Sequence, residues 1–291
     1  MKMCCATYSF SFLLLAVSLT AGCKTSDSGQ EKLPGQANSN SAAQAQSASA
    51  AGKIGTTVGV YKVNESRFFL RFSNTPGFGE VVIDFGARGD IPLGGDWDGN
   101  GSATVGVYRP GTSTFLLLNS NAPDGPVTTV QFGASGDIPV VGDWDGNGTV
   151  TVGVYRPSNS TFLLRNSNTS GDPEITVQFG ASGDIPIAGD WDGAGGASVG
   201  VYRPSNHTFL LRNSNAPGNP DVTISLGEKG NVPVVGDWDG NGSVTVGVYD
   251  PTIATFLLRN SNTPGDADVV VTFGSPGDKP VVGKWLRQIP N

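Results

Sequence analysis

The 291-residue chain carries 25 acidic against 18 basic residues, a formal charge of −7, and its basic residues never cluster. That balance argues against nucleic acid as a partner, because phosphate binding needs a basic patch. With 42 glycines, 19 prolines and three cysteines, the chain is rich in turn formers and poor in disulfide staples.

The N-terminus reads as an export leader. Lys2 supplies a positive start, Phe10 to Leu19 form an apolar run too short to span a bilayer comfortably, and Thr20-Ala21-Gly22 are the small residues that precede a cleavage site. The stretch Leu19-Thr20-Ala21-Gly22-Cys23 resembles the lipobox of bacterial lipoproteins, with Thr20 where Leu is commoner. The resemblance implies that residues 1–22 are removed and that lipid on Cys23 anchors an exported chain to a membrane. Cys4 and Cys5 leave with the leader, so Cys23 becomes the sole mature cysteine. Lys24, by not being Asp, favours the outer membrane or cell surface. Residues 23–54 turn to Ser, Ala, Gln and Asn with no apolar period, which predicts a disordered tether. As a flexible coil it would reach about 30 Å.

From residue 55 to 291 one unit is written five times. Tyr61, Tyr108, Tyr155, Tyr202 and Tyr249 fall at a constant step of 47, as do Trp97, Trp144, Trp191, Trp238 and Trp285. A period of this length without insertions means an array, a solenoid or a propeller. The third copy shows four β-rich segments, Thr151–Tyr155, Thr161–Arg165, Ile175–Phe179 and Ile185–Gly189, separated by Gly, Pro, Asn, Asp and Ser. Four short strands per unit fit a propeller blade, and closure removes the exposed edges of an open array.

The loop Gly142-Asp143-Trp144-Asp145-Gly146-Asn147-Gly148 before TVTVGVYRP resembles the FG-GAP repeats of integrin alpha-chain propellers and their bacterial relatives. The naming dipeptide recurs at Phe85-Gly86, Phe132-Gly133, Phe179-Gly180 and Phe273-Gly274. The resemblance implies an all-β, five-bladed propeller whose blades begin with the strand before the Asp-rich loop. On that framing the closing blade is composite, its innermost strand from the C-terminus and three from the N-terminus. The Asp loop is lost at that seam, where Lys284 and Leu286 replace its first two acids.

The Asp loops offer oxygens at alternate positions: Asp96, Asp98 and Asn100; Asp143, Asp145 and Asn147; Asp190 and Asp192; Asp237, Asp239 and Asn241. Such a pattern suits calcium. The ninth position, an Asp in the family, is here Thr104, Thr151, Ser198 or Thr245, so any binding should be weak. The other reading makes these loops hairpin turns whose Asp side chains accept backbone N–H groups. The Trp set reads as inter-blade packing or as a ring of sugar platforms. Arg109, Arg156 and Arg203 are candidate contacts for an anionic ligand.

Catalysis finds little support, since the single histidine, His207, lies in a turn and no mature cysteine remains for a nucleophile. A glycosidase-like use of the unrepeated acids Glu80, Asp84, Glu174, Glu228 and Asp250 is the least favoured reading. The sequence therefore predicts a non-enzymatic, monomeric surface module for a glycan or protein ligand. It binds through the loops opposite the Asp turns, with a structural or adhesive spacer as the alternative.

Overall fold

The computed structural model describes residues 54–122 and 124–287; the leader, Cys23 and the tether up to residue 53 lie outside the described residues. The described chain forms five four-stranded antiparallel sheets and contains no helix. Blade 1 holds β1 (Thr57–Lys62), β2 (Arg67–Leu70) and β3 (Val81–Asp84), with β20 (Lys279–Gly283) inside them. Blade 2 runs β4 (Ile91–Gly95), β5 (Thr104–Arg109), β6 (Thr114–Leu118) and β7 (Val127–Gln131). Blade 3 runs β8 (Ile138–Gly142), β9 (Thr151–Arg156), β10 (Thr161–Leu164) and β11 (Ile175–Gln178). Blade 4 runs β12 (Ile185–Gly189), β13 (Ser198–Arg203), β14 (Thr208–Leu211) and β15 (Val222–Ser225). Blade 5 runs β16 (Val232–Gly236), β17 (Thr245–Asp250), β18 (Thr255–Leu258) and β19 (Val269–Thr272). The architecture is a five-bladed β-propeller, and its composite first blade is the expected seam.

Each strand's composition follows its radial position. The second strand of every blade is a Val-rich run closed by Tyr and one charged residue, Arg in three blades, Lys62 in blade 1 and Asp250 in blade 5, and is buried on both faces up to the Tyr. Neighbouring blades sandwich it, so it does not need polar alternation. The fourth strand shows one face to solvent and alternates instead. The first strands meet around the axis, and the second residue of each is proline: Pro92, Pro139, Pro186, Pro233 and Pro280. An innermost strand is a sheet edge, where a residue without an N–H leaves no unpaired donor.

There is no single core. Five apolar clusters fill the five gaps between blades. Trp97 packs with Val152 and Val154 of the next blade, Trp144 with Ala197 and Val199, and Trp191 with Val246 and Val248. Trp238 meets Val58 and Val60, and Trp285 meets Val105 and Val107. Gly142 permits this approach, because a Cβ there would collide with the Trp144 ring. Within each blade Tyr and Phe stack at a tilt, as in Tyr155–Phe162 with centroids 4.7 Å apart.

Backbone hydrogen bonds repeat the same circle. Val150 N–H donates to Asp96 O (2.8 Å), Ala197 to Asp143 (2.6 Å), Val244 to Asp190 (2.7 Å) and Thr56 to Asp237 (2.6 Å). Ala103 N–H donates to Lys284 O (2.9 Å) and completes the ring. Lys284 serves there because the bond uses its carbonyl and needs no carboxylate. An asparagine in every copy reinforces these joints: Asn121 Nδ2 donates to Ala103 O while its Oδ1 accepts Val105 N–H.

Candidate functional site

Antiparallel strands put the Asp loops at one end of the propeller and the Arg-Pro and Phe-Gly turns at the other. At the first end, both oxygens of the leading Asp are taken by the loop's own backbone. Asp143 Oδ1 accepts Asn147 N–H (3.0 Å) and Oδ2 accepts Gly148 N–H (2.8 Å), while Asp145 Oδ1 accepts Asn147 N–H (3.3 Å). Asn147 Oδ1 then accepts Thr149 N–H at 2.8 Å. Gly146 and Gly148 supply the left-handed turns, with φ of 72° and 92°. Asp96, Asp98 and Asn100 repeat this pattern, as do Asp237, Asp239 and Asn241. In the third loop Asp190 and Asp192 fold around Ala194 and Gly195 in the same way.

Each loop brings two carboxylates, and the leading Asp is engaged on both oxygens by backbone N–H groups, as the turn reading expects. The ninth-position hydroxyl points into the sheet: Thr151 Oγ1 donates to Arg165 O (2.7 Å) or Gly142 O (3.2 Å). Among the described residues, no group of three or more acids, histidines or cysteines gathers as a metal site. Burial, more than any other cause, pushes the Asp96, Asp143 and Asp190 carboxyls above their usual range, although the backbone N–H bonds oppose it. We therefore expect millimolar calcium to leave the thermal midpoint of the purified chain unchanged. A rise of several degrees, absent with magnesium, would restore the metal reading.

At the opposite end Arg109, Arg156 and Arg203 each form a two-pronged bond to a buried aspartate. Arg156 Nε and Nη2 reach Asp137 Oδ1 and Oδ2 at 2.9 and 2.8 Å; Arg203 on Asp184 matches it, and Arg109 on Asp90 lies within 0.1 Å. The Asp side chains are 1–2% exposed and the arginines about a third or more. Each Asp also caps its own Phe-Gly turn, as Asp137 does for Ala134 N–H at 2.8 Å. The cap occurs in all five blades, through Asn231 in blade 5 and Asp278 in blade 1. The fork occurs in three.

The sugar-platform reading of Trp97, Trp144, Trp191, Trp238 and Trp285 is corrected by their burial. They are 2–8% exposed and pressed between blades, so no ring face is free to stack on a ligand. A second arginine set is structural as well. Arg71, Arg165, Arg212 and Arg259 are buried beneath the loop before the fourth strand and donate to its carbonyls, as Arg165 does to Asp172 O. The candidate acids do not converge either: Asp84 pairs with Arg67, Glu80 with Arg287, and Asp250 caps Thr252, while Glu80 and Glu174 follow the repeat with Asp221 and Asp268, all four accepting the N–H eight residues back.

One of several hollows, of roughly 350 Å³, lies beside the mouth of the axis over blades 5, 1 and 2, on the end that carries the Phe-Gly turns. Ile91, Val232, Pro233, Pro251 and Pro280 make it apolar, and Asp278 and Lys279 give it charge. Its lining departs from the repeat where the other inner strands begin with Ile or Val and blade 1 begins with Lys279. The sequence reading missed this hollow, although the Pro in every first strand was its visible sign.

No family model matches the chain, and no curated protein does. Among solved structures the chain is similar to a lectin from Agrocybe aegerita, described as showing the basis of specific recognition of non-reducing terminal N-acetylglucosamine. The two share 15% identity at a TM-score of 0.38, over 68% of this chain and 58% of the lectin. This chain thus spans less than two thirds of that lectin's length, and a likeness at this level carries no argument about a ligand. The propeller assignment stands on the strand order itself.

Proposed function

We propose that the chain is a non-catalytic binding module of FG-GAP type, held at a membrane surface through lipid on Cys23, that receives a glycan or protein ligand at the axis mouth. The carrying observation is the hollow itself. The repeated Trp, Asn and Asp-loop residues are spent on joining blades, whereas the hollow leaves apolar first-strand residues open to solvent beside Asp278 and Lys279, the latter standing where the other copies have Ile or Val. The apolar lining with few charges is the usual composition of a ligand pocket. Four of the candidate acids, Glu80, Asp84, Glu174 and Asp250, are engaged in structural bonds, which supports the non-catalytic reading.

The test is a glycan array and a peptide array probed with the purified chain and with Lys279→Trp. Lys279 is exposed, so the new ring fills the mouth without touching the inter-blade core. The expected result is binding on one array, reduced at least about tenfold in the variant at an unchanged thermal midpoint. Blank arrays, or binding indifferent to the variant, would favour the spacer.

A further inference from the structure

Three blades display a complete Arg–Asp fork at the same place, and the other two have lost it in different ways. In blade 5 both partners changed together: Asn231 stands where the others have Asp, and Asp250 where they have Arg. In blade 1 only one changed. Asp278 remains, still capping Ser275 N–H through Oδ2 at 2.8 Å, but the arginine position holds Lys62.

Lys62 does not replace the fork. Its ammonium lies 3.8 Å from Glu65 and 5.0 Å from the centre of the Phe69 ring. Among the described residues, Ser275 N–H is the one donor on the Asp278 carboxylate, and no ion pair reaches it. Asp278 is 9% exposed and lines the hollow at the axis mouth. Its Oδ1 has no protein donor among the described residues, and burial raises its carboxyl above the usual range. Asp250 and Asp278 also act together on the buried Tyr249 hydroxyl, which burial first and these acids next push up to about 12. The notch thus holds two acids, Asp278 and the more open Asp250, with Lys62 and Lys279 as the nearby cations.

We propose that Asp278 receives a guanidinium group on an aliphatic stem, supplied by an arginine side chain of a protein or peptide partner. The proposal rests on the binding-module reading and names its ligand chemistry. The other three blades show the geometry that this carboxylate accepts, two parallel N–H bonds of 2.8–3.0 Å. Pro233, Pro251 and Pro280 provide apolar walls for the stem. A guanidinium suits the notch better than an ammonium, because a single point donor cannot satisfy both oxygens at once.

The experiment titrates the full chain with a short blocked arginine peptide, its lysine and citrulline counterparts, and agmatine. The arginine peptide should bind at least about tenfold more tightly than citrulline, the neutral isostere, with lysine between them. Asp278→Asn should abolish the preference while folding normally, since Asn231 already serves as this cap in blade 5. Lys62→Arg should rebuild the internal fork, raise the thermal midpoint and displace the peptide. Equal binding of citrulline, or arginine binding untouched by either variant, would overturn the proposal. Agmatine as tight as the peptide would overturn the protein partner. An array ligand that lacks arginine, is lost in Lys279→Trp and is kept in Asp278→Asn would leave the binding module standing and remove this inference alone.

Discussion

Truncation after Asp278 is expected to abolish the cooperative thermal transition of the whole ring, not of blade 1 alone. The removed segment supplies β20, whose pairing with β1 runs from Thr57–Gly283 to Tyr61–Lys279. It also supplies Trp285, 2% exposed against Val105 and Val107, and the Lys284 carbonyl that accepts Ala103 N–H. In an open solenoid the loss of a terminal strand frays one end, because stability is a sum over neighbours. In a ring the same loss opens two inter-blade gaps to water and exposes the inner edge of β1. Trp285→Ala is the graded version, with an expected cost of about 3–5 kcal/mol for a buried Trp. Against a typical total of about 5–15 kcal/mol, that single change takes a large share. Urea unfolding of the variant and far-UV thermal melts of the truncation are the measurements. A truncated chain with an intact transition would show that the seam is dispensable and that blades fold as independent units.

The seam was legible in the sequence because two periodic signals met there. Trp285 kept the 47-residue step while its loop lost both acids, which is sensible only if the flanking strands come from opposite ends of the chain. Strand limits were legible to within a residue. One of these one-residue differences shows what local patterns omit: the strand Thr161–Leu164 ends before Arg165, whose guanidinium turns beneath the following loop. The recurrent arginines were visible as repeats, but their partners were not. Asp137 and Arg156 lie 19 residues apart, and neither position alone indicates a pairing. The paired change to Asn231 and Asp250 was the available sign. Burial of the Trp faces was legible only as one of two readings, since an aromatic beside an inner strand has the same spacing whether it packs or stacks. The hollow was only partly legible: the first-strand prolines mark its wall, but no single unit contains it. It forms where the first strands of blades 5, 1 and 2 begin, and its lining follows the repeat except at Lys279.

That paired change leads to the second large effect, which lies in blade 3. Arg156→Asp is expected to cost about 3 kcal/mol, Asp137→Asn about 1–2 kcal/mol, and the double variant clearly less than their sum. The first substitution removes two charge-assisted bonds and sets a second carboxylate beside one that is 2% exposed. The guanidinium is about a third exposed, so solvent screening keeps its own share modest; most of the cost is the stranded charge. Asp137→Asn loses that charge but keeps an oxygen for the Ala134 N–H cap, as Asn231 does for Glu228. The double variant reproduces the blade 5 arrangement, which folds with the same strand register. A coupling of about 1–2 kcal/mol from urea unfolding of the four proteins is the expected result. The single Arg156→Asp variant should also gain stability as pH falls. Two neighbouring carboxylates raise a folded-state pKa above its unfolded value, so the folded form takes up the proton first and the penalty fades below that pKa. Strict additivity and a pH-independent deficit would show that the forks are surface ornaments. Coupling with acid recovery would show that each buried Asp needs a cationic partner or neutralisation, the condition that Asp278 alone leaves unmet.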